Sequence, residues 1–109
     1  MFAVRIEELA DANIDVLDTA LAAAKRKRDE ADVDIAAITA VVDARQLFQE
    51  HSQSTIKAYL KQQLNCSGPD ALRIKRRARL FNQHPEIADV FANSRISAGQ
   101  VDAMATAQQ

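Results

Sequence analysis

Apolar residues recur at alternating spacings of three and four through Ile14, Leu17, Leu21, Ala24, Ala31, Ile35, Ile38 and Val42, with Arg28 the one exception. This is a heptad seam, the signature of a helix that packs along its length. No Gly or Pro interrupts it, so the pattern predicts one long helix over residues 14–49, about 50 Å at 1.5 Å per residue. The order of charge keeps a second option open. Lys25 to Arg28 are all basic, and Asp29, Glu30, Asp32 and Asp34 follow, as at the end of one helix and the start of the next. A hairpin broken near 28–33 would satisfy that order, whereas the i,i+4 pairs Lys25–Asp29, Arg26–Glu30 and Arg28–Asp32 favour continuity. Leu17, Leu21, Ile35, Ile38 and Val42 are then either a coiled-coil-like dimer or partner interface, or the surface on which the chain's own later helices pack.

Shorter periods flank this seam. Phe2, Ile6, Leu9 and Ala10 predict a short amphipathic helix, interrupted at Asp11 to Asn13. Gln49 to Gln53 is polar and aperiodic, a connection. A short helix over 54–64 follows, capped by Ser54, with Ile56, Tyr59, Leu60 and Leu64 inward and Asn65 at its end. The next helix begins near Pro69, with Ser67 as cap and Asp70 at the positive end of the helix dipole. Pro85 forces its end, because proline drives the preceding residue, His84, out of helical geometry. Ile87, Val90 and Phe91 mark another short helix. Ser97-Ala-Gly-Gln100 is a capping box opening a last one, with Val101, Met104 and Ala105. Residues 69–105 therefore form a three-helix unit, and the fold class is all-α. A long N-terminal helix packs with three to four short ones in one domain, 1–109.

Composition agrees and adds a limit. Two glycines, two prolines and 21 alanines favour helices. With no Trp and five aromatic residues the core is lean, and a second copy of the chain would supply missing burial. The start of the chain lacks the pattern of a signal peptide, and no apolar stretch approaches the roughly 20 residues that cross a bilayer. The expected location is the cytoplasm, with no membrane partner.

Charge singles out one element. Arg73, Lys75, Arg76, Arg77 and Arg79 against Asp70 alone give residues 70–84 a net charge of +4, in a chain whose total is −1. Ala71, Ile74, Ala78 and Phe81 form its core-facing stripe. The five basic residues are the candidate nucleic-acid contacts, since clustered arginines neutralise phosphates through charge and bidentate hydrogen bonds. The competing account pairs them with the acids Asp29, Glu30, Asp32 and Asp34. The two helices after Pro85 are loosely like a helix-turn-helix, without a base-reading signature.

Ser67, Asp70-Ala71, Ile74, Ala78-Arg79, Phe81, Pro85, Phe91 and Arg95-Ile96-Ser97 with Gln100 follow the pattern S-x-x-E-A-x-x-L-x-x-x-A-R-x-L-x-x-x-P…L-x-x-G-R-I-S-x-x-Q. This resembles the actinobacterial "thirteen-E-twelve" repeat family, a domain of unknown function (number two-two-two) whose members often carry an HNH endonuclease domain further along. The match covers 67–105 most specifically and reaches back loosely to about residue 14. Ser94 stands where the family has Gly, and His84 where it has an apolar residue. The resemblance implies an accessory domain of a nuclease-like or mobile-element protein, with DNA and a downstream or separate nuclease module as partners. The nuclease part would lie beyond residue 109, so the chain reads as a short member, a gene remnant or an excised piece.

Catalytic chemistry is not legible. An HNH site needs a histidine general base, an Asn to orient it and a further histidine or acid on a ββα element, and this chain has only His51 and His84 and no strand pair to build that element. Cys66 is alone, which excludes an intramolecular disulfide and a cysteine-based zinc site. No phosphate loop, nucleophile elbow or H-E-x-x-H is present. The expectation is a non-enzymatic chain without metal or cofactor.

Overall fold

The long apolar period is realised as one unbroken helix in the computed structural model, which describes residues 1–108. The order is α1 (Phe2–Leu9), α2 (Ile14–Ala44), a 3-10 turn (Leu47–His51), α3 (Ile56–Leu64), α4 (Gly68–Gln83), α5 (Pro85–Ala92) and α6 (Ala98–Ala107), with no strand among the described residues. Asn13 caps α2, its side chain accepting from the Val16 N–H at 3.0 Å. At 1.5 Å per residue α2 is about 46 Å long. It therefore runs nearly the full 50 Å length of the molecule. The hairpin near 28–33 does not form: Lys25 Nζ donates to Asp29 at 2.7 Å across one helical turn, and the charged block is helix interior.

The helix stops at Ala44 rather than near 49. Gln46 takes a left-handed conformation, φ 53°, and turns the chain so that Phe48 folds back into the interior. The cap of α3 is Thr55 rather than Ser54; its hydroxyl accepts from the Ala58 N–H at 3.1 Å. Leu64, expected inward, is exposed. The other caps stand where the residues indicate. Ser67 accepts from the Asp70 N–H at 3.1 Å, and Ser97 and Gln100 close both bonds of the capping box at 3.0 and 2.8 Å.

Two core clusters hold the fold. One gathers Ala36, Ala78, Leu80, Phe81, Ala88, Phe91, Val101 and Ala105 from α2, α4, α5 and α6, with the rings of Phe81 and Phe91 stacked at 6.0 Å. The other joins Val42, Phe48, Ile56, Leu60 and Ala71. Alanines on three helices let α2, α4 and α5 approach closely, which is how a chain poor in aromatics reaches a dry interior.

The face that α2 buries is not its heptad seam. Apart from Val42, its buried residues are Asp29, Ala36 and Thr39, each one place after a seam position and so rotated from the seam by about 100°, with Val33 and Ala40 half-buried beside them. Of the five predicted interface residues, Val42 is built into the protein's own core and is closed to any partner. Leu17 and Ile35 are half-buried, whereas Leu21 and Ile38 are 72 % and 60 % exposed.

Buried charge fixes that choice of face. The Asp29 side chain is 1 % exposed, and it accepts from Lys25 Nζ and from the Ser94 hydroxyl, each at 2.7 Å. Burial pushes its carboxyl up, but the hydrogen bonds from Lys25 and Ser94 and the charges of Lys25 and Arg28 outweigh this, so its pKa lies below the usual value. Ser94 itself is left-handed, φ 59°, in the turn between α5 and α6. A non-glycine residue there costs about 1–3 kcal/mol. A hydrogen bond to a charged group contributes about 1.5–3 kcal/mol, a comparable offset. Ser94→Gly, exchanging one for the other, should change stability by less than about 1 kcal/mol, while Ser94→Ala keeps the strain and loses about 2 kcal/mol. Urea midpoints of the two variants check the order; equal midpoints would mean that the Ser94–Asp29 bond contributes nothing.

Candidate nucleic-acid interface

The basic helix α4 lies at the centre of the fold, packed against α2, α3, α5 and α6. Its ends are set by Ser67 and Pro69 on one side and by Pro85 on the other, where the His84 N–H makes the last bond, to Leu80 O at 2.8 Å. Ala71, Ala78, Leu80 and Phe81 point inward. Ile74 is half-buried against the second core cluster.

The five basic side chains divide into two sets. Arg77 is the exception to the expected surface: it is 8 % exposed and turned into the protein. Its Nε and Nη2 donate to the two carboxylate oxygens of Asp102 on α6, at 2.6 and 2.9 Å, and Nη1 lies 3.6 Å from Asp32 on α2. The guanidinium also stands 5.9 Å from the centroid of the Phe91 ring. The bonds it donates to Asp102, outweighing burial and reinforced by the charges of Asp102, Asp32 and Asp29, raise the pKa of Arg77 above its ordinary value. Arg77 is therefore charged at every accessible pH, and it joins α2, α4 and α6 instead of contacting phosphate.

The other four remain outside. Lys75, Arg76 and Arg79 fall within about 100° of the helix circumference. Gln83 lies within the same sector. Arg76, Arg79 and Gln83 line an open groove of about 510 Å³ between α4 and α6, closed on the far side by Ala105 and Gln108. Arg73 and Arg76 continue it toward Pro69, beside Asp102 and Thr106. Arg73 is exposed and paired with Asp70 at 3.0 Å, a surface pair of small energetic weight. Arg76 is half-buried, and its Nε is enclosed without a hydrogen-bond partner. An enclosed donor left unpaired costs about 1–3 kcal/mol.

Of the acids that might have neutralised this helix, only Asp32 forms an ion pair with α4 among the described residues, and it goes to Arg77. The acid that matters most, Asp102, carried no signal in the sequence. It follows Val101 in the last helix, and only the crossing of α6 over α4 aims it at Arg77. Gln83 was likewise not singled out, though its place four residues after Arg79 puts it on the same face.

The turn between α5 and α6 is anchored to α2, because the Ser94 hydroxyl donates to the buried Asp29. His84 is half-buried with Nδ1 3.4 Å from Glu86. Cys66 is half-buried beside the second core cluster, its thiol 3.7 Å from Leu60 O. Among the described residues no three His, Cys, Asp or Glu side chains converge in a way that could hold a metal ion. No described helix is long and apolar enough to cross a membrane.

No protein-family model matches the chain, and no curated protein or solved structure matches it either.

Proposed function

We propose that this chain is a non-catalytic helical module that binds the backbone of duplex DNA through the open face of α4, with Lys75, Arg76 and Arg79 as phosphate contacts and Arg73 at the edge. The supporting observation is the groove beside α4. There Arg79 is exposed and Arg76 half-buried, and among the described residues neither forms an ion pair with an acid. Asp102, the carboxylate beside Arg76, is already held by Arg77 at two points. A guanidinium pair on one helical face matches phosphate oxygens through charge and bidentate hydrogen bonding.

The resemblance of residues 67–105 to the HNH-associated repeat pattern is in keeping with the same reading, in which the module would place a nuclease on DNA and take no part in cleavage. Affinity would come from the backbone, so little sequence preference is expected.

Fluorescence anisotropy with labelled duplex DNA at several salt concentrations tests the proposal. Three to four phosphate contacts predict a log–log salt slope of about 3, on roughly 0.9 per phosphate. Arg76→Glu with Arg79→Glu should abolish binding at low salt while leaving the helical circular-dichroism signal unchanged, because both side chains lie outside the core. Unaltered binding by this variant would remove α4 as the contact surface.

A further inference from the structure

The first 28 residues contain no buried side chain, although Phe2, Ile6, Ile14, Val16 and Leu21 stand exposed along them. The interior begins at Asp29. On α2, Ile14 and Leu21 share one face at helical spacing, and exposed apolar surface of this kind marks interaction sites. Charge on the same arm is ordered. Residues 7–18 carry five acids and no base, residues 19–24 carry no charge, and residues 25–28 are four bases.

We infer that two copies of the chain associate through this arm, with α2 of one antiparallel to α2 of the other and the two crossing near Leu21 and Ala24. Leu21 of each copy then packs against Ala24 of the other, and Leu17 against Arg28, as layers of an antiparallel heptad seam. This accounts for the basic residue in an otherwise apolar series. The aliphatic stem of Arg28 covers Leu17 while its guanidinium reaches the acid-rich end of the other copy, where Asp15 and Asp18 lie.

Charge selects this register over the alternatives. A parallel pair of α2 helices would set Asp15 and Asp18 against their own copies and the four bases Lys25 to Arg28 against four bases. An antiparallel pair displaced so that Leu17 meets Ile35 would bring Lys25–Arg28 of the two copies together. Only the crossing near Leu21 and Ala24 opposes the acidic segment to the basic one at both ends. The pairing uses none of the α4 arginines, so it holds or fails independently of DNA binding.

Sedimentation velocity over a range of protein concentrations, together with cysteine cross-linking, tests the inference. The wild-type chain should approach twice its 12.0 kDa mass as concentration rises. Leu21→Asp should be monomeric throughout with an unchanged circular-dichroism spectrum, since Leu21 is 72 % exposed and supports no core. In a Cys66→Ser background, Leu17→Cys mixed with Arg28→Cys should form a mixed disulfide, and Leu17→Cys alone should not cross-link. A wild-type monomer at all concentrations would overturn the inference, as would a Leu21→Asp dimer. A disulfide between two Leu17→Cys copies would replace it with a parallel arrangement.

Discussion

Asp102→Ala is expected to lower the unfolding free energy by about 3 kcal/mol, near the lower end of the range for breaking a buried ion pair. The variant leaves the Arg77 guanidinium enclosed, with its two short bonds gone and only Asp32, 3.6 Å away, as a remaining partner. Arg77→Met should cost less, about 1–2 kcal/mol, because it leaves behind carboxylates rather than an enclosed cation. Asp102 and Asp32 each keep about three tenths of their side-chain surface exposed, so water can solvate them. The double variant Arg77→Met with Asp102→Ala should therefore be more stable than the sum of the single losses predicts, with a coupling of about 1–2 kcal/mol. Denaturant titrations of the four proteins measure it. Additive losses would mean that the pair contributes nothing beyond the packing of its separate side chains. For a domain of this size, 3 kcal/mol corresponds to a melting temperature lower by roughly 10 °C or more. A charge reversal at Arg77 would for that reason report on folding, and DNA binding has to be probed at Arg76 and Arg79.

Asp29→Asn is the second large effect, with an expected loss of about 2 kcal/mol at neutral pH. The amide keeps the shape but gives up a charge-assisted bond from Lys25 and weakens the one from Ser94, each of which contributes at the scale of 1.5–3 kcal/mol at most. Lys25 retains 40 % of its side-chain surface in water, which discounts its share. The same residue sets an acid limit. The pKa of Asp29 in the folded protein is lowered, so folding favours its ionised form. Its contribution is complete above the unfolded carboxylate value of about 3.9 and is lost as pH falls through the lower folded value. Wild-type stability should decline over that acid window, and the Asp29→Asn curve should decline less. Parallel curves for the two proteins would show that Asp29 is not the group responsible.

Local chemistry was legible in particular residues. Ser67, Pro69 and Pro85 bounded α4, and Ser97 with Gln100 opened α6, because caps and prolines act within one turn and require no knowledge of the rest of the fold. The continuity of α2 through its charged block was also readable, since Lys25 and Asp29 meet across a single helical turn. The end of α2 had no local cue: Gln46 enters the left-handed region to bring Phe48 back into the second cluster, a tertiary demand.

The inward faces of the short helices were readable, as Ala71, Ala78 and Phe81 on α4 show, but which face of α2 turned inward was a matter for the tertiary structure alone. Periodicity showed that α2 has an apolar seam, yet the buried face is the neighbouring one. Ala36 and Ala40 there admit close helix approach, and Asp29 finds both Lys25 and Ser94. The basic character of α4 was likewise evident from composition, but its five cations were equivalent until α6 crossed it and Asp102 took Arg77 out of the surface set. Sequence by itself determined the all-helical class, the helix ends that carry caps or prolines, and the placing of positive charge on α4. The tertiary structure decided which cation is a brace and which are free. The reason is that burying a guanidinium requires a carboxylate brought from a distant helix, and its position is set by the packing of α6 on α4 rather than by anything near Arg77 in the chain.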